Sequence, residues 1–148
     1  MRVVIQRVLR ASVTIDSEVT ATIGKGLLVY VGIGKNDTQN DADWMVNKIT
    51  SMRIFEDNEQ RMNLSVKDVG GEILAVSQFT LYGDAVKGTR PSFSSAMAPT
   101  EAKAMYRYFA DRLIESGIPI QEGVFAADMK VESINDGPVT IILEGKNA

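Results

Sequence analysis

Two short polar segments hold the side chains with which this chain could do chemistry. The first is Ser77-Gln78-Phe79-Thr80-Leu81 and the second is Asn135-Asp136-Gly137-Pro138-Val139-Thr140. The chain contains no histidine and no cysteine, so the commonest catalytic side chains and the usual zinc ligands are excluded. Any reaction must therefore use hydroxyl, amide, carboxylate or backbone groups, or a group that the substrate itself brings.

The first segment has the alternation of a β-strand. Successive side chains of a strand point to opposite faces, so Gln78 and Thr80 share one face. The other face carries Ser77, Phe79 and Leu81. An amide and a hydroxyl would then lie side by side at the end of a long apolar strand. The same alternation is typical of a half-buried strand without any site, and the pattern alone favours that interpretation.

The second segment alone predicts a β-turn. Asn, Asp and Gly tolerate positive φ, so Asn135-Asp136-Gly137 suits a turn between the strands Met129 to Ile134 and Val139 to Leu143. Pro138 complicates a simple hairpin because it has no N–H to donate where the next strand begins. The Gly-Pro bond is also a candidate for the cis form.

Other reactive combinations are weaker. Asp84 and Asp128 are candidate ligands of a divalent cation, but two carboxylates without clustered partners make a poor metal site. Thr80 would be a nucleophile only beside a base, and no nearby residues supply one by pattern. We expect neither a metal nor a cofactor.

Composition narrows the class of protein. The 148 residues suit one domain spanning 1–148, and no segment approaches the roughly 20 apolar residues of a membrane span. The absence of cysteine favours the cytosol. A net charge of −3 argues against broad binding to DNA or RNA backbones, although a local contact with a nucleic-acid end remains open.

A few isolated positive charges are the side chains that could contact a nucleic-acid end. They lie at Arg2, Arg7 and Arg10 near the start and at Lys87 and Arg90 in one loop. Single charged residues usually belong to the solvated surface, and we favour that interpretation for each of them.

The hydrophobic pattern predicts an α/β fold with strands at both ends. Val3 to Val8 alternates, and the uninterrupted apolar run Leu27 to Ile33 predicts a central strand buried on both faces. One helix should begin at Asp37 or Thr38, and a second should run from Pro99-Thr100 to Gly117. Tyr82 to Ser95 is a loop of unusual length, which hints at function. We expect a mixed sheet with both helices on one face.

In this order, the two segments resemble the paired motifs of the D-aminoacyl-tRNA deacylases. Supporting similarities occur in Gln6-Arg7-Val8, Ala11-Ser12-Val13, Arg53-Ile54-Phe55, Met62-Asn63, Arg90-Pro91-Ser92-Phe93 and Phe125-Ala126-Ala127-Asp128-Met129. The resemblance therefore covers nearly the whole chain. Ser133 departs from it, since an aliphatic residue is expected beside the second motif.

The resemblance implies a compact α/β domain with a mixed, partly barrel-like sheet, working as a homodimer on aminoacylated tRNA. The implied reaction is chiral proofreading, in which the ester of a D-amino acid, or of glycine, on the 3′-terminal ribose is hydrolysed. Ser77, Gln78, Phe79 and Thr80 would be the catalytic residues around the aminoacyl group. The implied substrate-binding residues are Asn135, Gly137, Pro138, Phe125 and Met129.

Within that family, a cis Gly137-Pro138 bond would reach into the partner subunit's pocket and reject L-side chains. Phe125 and Met129 would lie near the terminal adenine. A site without histidine or cysteine suits a mechanism in which the substrate's 2′-hydroxyl assists and backbone N–H groups near Phe79 and Thr80 hold the oxyanion.

Two other functions remain open. The first is a non-catalytic module of similar fold that binds tRNA or a synthetase, because fold alone does not define a substrate. The second is a metal-dependent hydrolase of small molecules that uses Asp84 or Asp128. Turnover of a D-aminoacyl-tRNA separates the enzyme from the first, and sensitivity to a chelator separates it from the second.

Overall fold

Eight strands and two helices make up the described part of the chain. The structure, a computed structural model, describes residues 1–146. Its elements are β1 (Arg2–Ile15), β2 (Glu18–Ile23), β3 (Gly26–Gly32), α1 (Gln39–Ser51), β4 (Phe55–Glu56), β5 (Met62–Leu64), β6 (Glu72–Ser77), a 3₁₀ turn (Phe79–Tyr82), α2 (Pro99–Glu115), β7 (Ile120–Glu122) and β8 (Lys130–Glu144). Strands lie at both ends of the chain, as the hydrophobic pattern predicted.

The main sheet is built around β1. Its first half pairs antiparallel with β3, its second half pairs antiparallel with β2, and β8 runs antiparallel along the opposite edge. The sheet continues beyond β3 through parallel pairings of β3 with β6 and of β6 with β7. Because β2 also approaches β6 and β7, the sheet curls until it is nearly closed. The predicted mixed, partly barrel-like α/β architecture is confirmed.

The core lies on both faces of this sheet. Leu27, Leu28 and Val29 are fully buried, which confirms β3 as a central strand covered on both sides. The face toward the helices packs against Met45, Ile49, Phe109 and Leu113. The other face forms a second apolar cluster that contains Val8, Val13, Leu74 and Val76. Both helices therefore cover one face, while the curled sheet closes over the other.

Both helices start where local chemistry predicts. The N–H and the hydroxyl of Thr38 each donate to Asp41 Oδ2 at 2.8 Å, just before α1. Pro99 opens α2, where its missing N–H costs nothing, and Gly117 follows the helix with φ of +82°. Within residues 1–146, neither helix combines the length and the hydropathy that crossing a membrane requires.

The predicted turn at Asn135-Asp136-Gly137 is wrong. β8 runs without a break from Lys130 to Glu144 and pairs with β1 on both sides of Pro138. The pairing shifts register around Val8 of β1, which accommodates the residues beside a proline that cannot donate. A strand as long as β1 offers a partner to both halves of β8, so no hairpin forms.

Phe109 tests how much of the stability comes from the helix-covered face. This side chain is fully buried, so Phe109→Ala should lower the free energy of unfolding by about 3–5 kcal/mol. Ile114 lies on the same helix but is 51% exposed, and Ile114→Ala should change it by less than about 0.5 kcal/mol. Urea denaturation of both variants measures the difference, and equal losses would contradict this account of the core.

Candidate active site

A cavity of about 800 Å³ opens beside the ends of β3 and β6. Ligand sites for small molecules occupy about 300–1,000 Å³, so this volume suits a ligand of that kind. Besides Val31 and Ile33 at the end of β3, its wall comes from three stretches of chain: the end of β6 with the 3₁₀ turn, the segment that enters α2, and the connection from β7 into the start of β8. The lining residues from these stretches include Ser77, Gln78, Phe79, Phe93, Met97, Ala102, Phe125 and Met129.

The first predicted motif lies in this wall, but not as a strand. β6 ends at Ser77, and the chain turns into the 3₁₀ turn one residue after Gln78. Gln78 makes the last pairing with β3, where its N–H donates to the Val31 carbonyl at 2.8 Å. The predicted extension of the strand to Leu81 is therefore wrong, and with it the alternation of faces.

Gln78 and Thr80 still meet, for a different reason. Within the tight turn the Gln78 amide donates a hydrogen bond to the Thr80 hydroxyl. Ser77, Gln78 and Phe79 line the cavity, whereas Thr80 is exposed and lies beside it. This hydrogen bond fixes the orientation of the Gln78 amide at the wall.

The turn also leaves backbone donors without partners. The N–H groups of Phe79 and Thr80 donate to no other group within residues 1–146, while the next N–H, of Leu81, bonds the Gln78 carbonyl at 3.3 Å. The first N–H groups of any helical turn lack intrahelical acceptors. Two unpaired donors beside the cavity are suited to a developing negative charge on a substrate oxygen.

Arg2 holds the far end of the same turn. Its Nη1 donates to the Leu81 carbonyl at 2.8 Å, and its Nε lies 2.8 Å from Glu144 Oε1. Tyr82 is buried beneath the turn, and burial together with the charge of Asp37 raises its pKa to about 12. Its phenol therefore stays protonated at neutral pH and supplies no base.

An exposed aromatic pair forms the rim of the cavity. Phe79 is 58% exposed and meets the edge of Phe93 with 5.1 Å between ring centroids. Phe93 lies in the predicted long loop, which contains no helix or strand from Gly83 to Ser95, whereas Tyr82, predicted as its first residue, ends the 3₁₀ turn. No pattern in the sequence assigned Phe93 a role, and its one signal was its place in the motif-like segment Arg90-Pro91-Ser92-Phe93.

The third stretch of wall places Phe125 and Met129 in the cavity. Met129 packs so closely on Gly123 that a Cβ there would lie 2.5 Å from its sulfur. The Phe125 ring packs against the Tyr106 ring of α2 with 6.1 Å between centroids. Phe125 and Met129 therefore each pack against a residue outside the cavity lining.

The second predicted motif does not line this cavity. Gly137 and Pro138 are exposed, and the bond between them is cis. The Asn135 side-chain amide donates to the carbonyls of Arg7 and Val139, each at 3.0 Å, and so connects the two ends of this segment and β1. The structure thus brings Ser77, Gln78, Phe79, Phe125 and Met129 together and leaves Asn135, Gly137 and Pro138 elsewhere on the same chain.

Arg7 supports the second motif from below. Its side chain was expected in solvent, which is wrong, because Arg7 is only 5% exposed. Nη1 donates to the Ile54 carbonyl at 2.7 Å, and Nε lies 3.2 Å from Asp136 Oδ2. Burial of a guanidinium requires such partners, and Asp136 supplies the opposite charge.

The two carboxylates considered for a metal have separate local partners. Asp84 Oδ1 accepts from the Val86 N–H at 2.9 Å, and Asp128 Oδ1 lies 2.9 Å from the Lys130 ammonium. Asp128 lines the cavity, but Asp84 is not among the lining residues. In the part of the chain that the structure describes, no three acidic, histidine or cysteine side chains cluster.

The chain is similar along almost its whole length to known proteins. The family model described as D-Tyr-tRNA(Tyr) deacylase matches residues 4–144. The D-aminoacyl-tRNA deacylase of Koribacter versatilis (strain Ellin345) is 53% identical over 146 residues, covering 99% of this chain and 98% of that protein. The D-aminoacyl-tRNA deacylase of Myxococcus xanthus (strain DK1622) is 54% identical over 144 residues, with coverages of 97% and 94%. A solved structure named c-Myc DNA Unwinding Element Binding Protein has a TM-score of 0.93 at 44% identity, covering 98% of this chain and 99% of that one.

Proposed function

Because this chain belongs to the D-Tyr-tRNA(Tyr) deacylase family, we propose that it hydrolyses D-aminoacyl-tRNA and releases free tRNA and the amino acid. It is a hydrolase that acts on the ester between the amino acid and the tRNA. The observation that carries the proposal is the cavity wall of Ser77, Gln78 and Phe79, with two unpaired N–H groups beside it.

The wall favours a reaction driven by positioning. Water attacks the ester carbon, negative charge develops on the carbonyl oxygen, and the 3′-oxygen of the ribose leaves with a proton. We assign the unpaired N–H groups of Phe79 and Thr80 to that charge, and one such donor contributes about 3–4 kcal/mol. Holding ester and water in register contributes up to roughly 7–11 kcal/mol.

The substrate's own 2′-hydroxyl supplies the missing acid-base group in this proposal. It lies next to the ester oxygen in any aminoacylated ribose, so it can relay the proton that the leaving oxygen takes. Gln78 and Thr80 then act by orientation, since their side chains are hydrogen-bonded to each other. Ser77 completes the wall around the aminoacyl group, and Phe125 and Met129 contact the terminal adenine.

Chiral selection requires a second copy of the chain. Gly137 and Pro138 are exposed and lie outside their own cavity, so we assign them to the cavity of the partner in a homodimer. Backbone atoms at that position reject an L-side chain by collision and accept D-side chains of every kind. Glycine has no side chain to collide, so glycyl-tRNA is also a substrate in this proposal. A charged tRNA as substrate and the absence of cysteine agree with the expected cytoplasmic location.

Matched D- and L-tyrosyl-tRNA test the proposal. We expect the purified protein to deacylate the D-ester rapidly and to leave the L-ester at its spontaneous rate, with or without a chelator. Release of radiolabelled tyrosine measures both rates. Loss of activity with a chelator would favour the metal-dependent hydrolase, and tRNA binding without turnover of either ester would favour the binding module.

A further inference from the structure

Tyr106 lies behind the cavity wall rather than in it. This side chain is 4% exposed on α2 and does not line the cavity, whereas Phe125, which its ring supports, does. The rings of Tyr106 and Phe109 are also adjacent, with centroids 6.5 Å apart. Tyr106 therefore joins the main core to one wall of the proposed site.

The Tyr106 hydroxyl meets the backbone where three elements converge. The hydroxyl donates to the Ala75 carbonyl of β6 at 3.2 Å. The Ala75 carbonyl oxygen also accepts the Gly123 N–H at 2.9 Å. One carbonyl thus ties α2 and β6 to the start of the segment that carries Phe125. Burial, reinforced by the nearby Glu122 carboxylate, raises the pKa of Tyr106 far above neutrality, so its hydroxyl remains a donor.

Movement at Gly123 would reach the cavity directly. Met129 packs on Gly123 with no room for a Cβ, and Phe125 follows two residues later. A second polar contact between α2 and this region is the Arg107–Glu122 ion pair at 3.0 Å, and Arg107 is half exposed. A half-exposed pair of this kind contributes little, which leaves the buried hydroxyl as the stronger tie.

We propose that Tyr106 is a positioning residue for the deacylation reaction, whose hydroxyl sets the place of the Gly123–Met129 wall against the substrate's terminal nucleoside. It acts through Ala75, Gly123 and Phe125 and touches no substrate atom. The inference rests on the proposed function, because the nucleoside is the part of the substrate assigned to that wall.

Tyr106→Phe removes the hydroxyl and keeps the ring. We expect KM for D-tyrosyl-tRNA to rise roughly three- to ten-fold while kcat stays within about twofold, because ground-state and transition-state contacts to the nucleoside are lost alike. Tyr108→Phe is the matched control: Tyr108 lies on the same helix, and its hydroxyl donates to the Asp43 carboxylate, at 3.0 and 3.1 Å. That variant should keep the wild-type KM.

Two further measurements separate an effect on the cavity wall from a general loss of stability. Affinity for a non-hydrolysable amide analogue of D-tyrosyl-adenosine should fall by the same factor as KM rises in Tyr106→Phe. Phe125→Leu should also raise KM, and the double variant should show less than the sum of the two effects, because both act on one wall. Equal KM and analogue affinity in Tyr106→Phe and wild type would overturn the inference, and so would additivity. A wild-type protein that neither binds the analogue nor hydrolyses the ester would instead defeat the proposed function.

Discussion

Gly137→Ala is expected to destroy the chiral selectivity of the protein while leaving hydrolysis of the D-ester measurable. Gly137 has φ of +117°, a conformation that L-residues rarely adopt. An added Cβ would lie 2.8 Å from Arg7 Nη2 and 3.0 Å from Val139 Cγ2. Arg7 is buried and held by Ile54 and Asp136, so the exposed segment must move instead. The ratio of D- to L-tyrosyl-tRNA hydrolysis should therefore fall by about tenfold or more, which equals roughly 1.4 kcal/mol of discrimination.

The control for Gly137→Ala separates displacement from backbone strain. Gly117 also has positive φ, +82°, but a Cβ there meets nothing within 4 Å. Both alanine variants should lose about 1–3 kcal/mol of stability through strain, yet only Gly137→Ala should admit the L-ester. Pro138→Ala should likewise raise hydrolysis of the L-ester. Selectivity that survives both Gly137→Ala and Pro138→Ala would rule out the proposed clamp.

A D-tyrosyl-tRNA whose terminal adenosine lacks the 2′-hydroxyl should be hydrolysed about 10²–10⁴-fold more slowly than the natural ester. That range is the usual contribution of one positioned acid-base group. Among residues 1–146, the cavity lining contains no histidine, cysteine or lysine, and its one carboxylate, Asp128, is exposed beside Lys130. The proposed mechanism therefore assigns the proton relay to the substrate. Single-turnover rates on the two esters measure the effect without interference from product release.

Thr80→Ala distinguishes this mechanism from nucleophilic attack by the protein. Thr80 is exposed, and its hydroxyl accepts a hydrogen bond from Gln78, so we expect its loss to slow hydrolysis by less than about tenfold. Ser77→Ala is the matched control, because it removes the other hydroxyl of the motif, on a residue that does line the cavity. If Thr80→Ala abolishes hydrolysis while the 2′-deoxy ester is still cleaved, Thr80 is the nucleophile.

Much of the fold followed from local pattern. The capping residues Thr38 and Asp41 and the stop at Gly117 act on their near neighbours in the chain, and the apolar run of β3 is itself a local pattern of residue types. Patterns of that kind predicted both helices, the central strand and the long loop correctly. The family was also evident, because its two motifs occur together and in order.

The errors all concern segments whose conformation depends on a distant partner. Asn135-Asp136-Gly137 has turn chemistry, but β1 pairs with the chain on both sides of it and keeps it in β8. Ser77 to Leu81 alternates like a strand, but its pairing with β3 ends at Gln78. Arg7 was predicted as a surface charge, but its contacts with Asp136 and the Ile54 carbonyl, both distant in the chain, hold it in the interior.

The sequence by itself determined the class of fold, the family and the exclusion of histidine and cysteine chemistry. Only the tertiary structure decided which motif residues share a cavity. Whether a residue lines the cavity depends on how β6, the entry to α2 and the β7–β8 connection meet in space. It also separated Gly137 and Pro138 from their own chain's cavity and placed Tyr106 behind its wall. These arrangements result from hydrogen bonds and packing between residues far apart in the chain. A local pattern of residue types does not predict such long-range contacts.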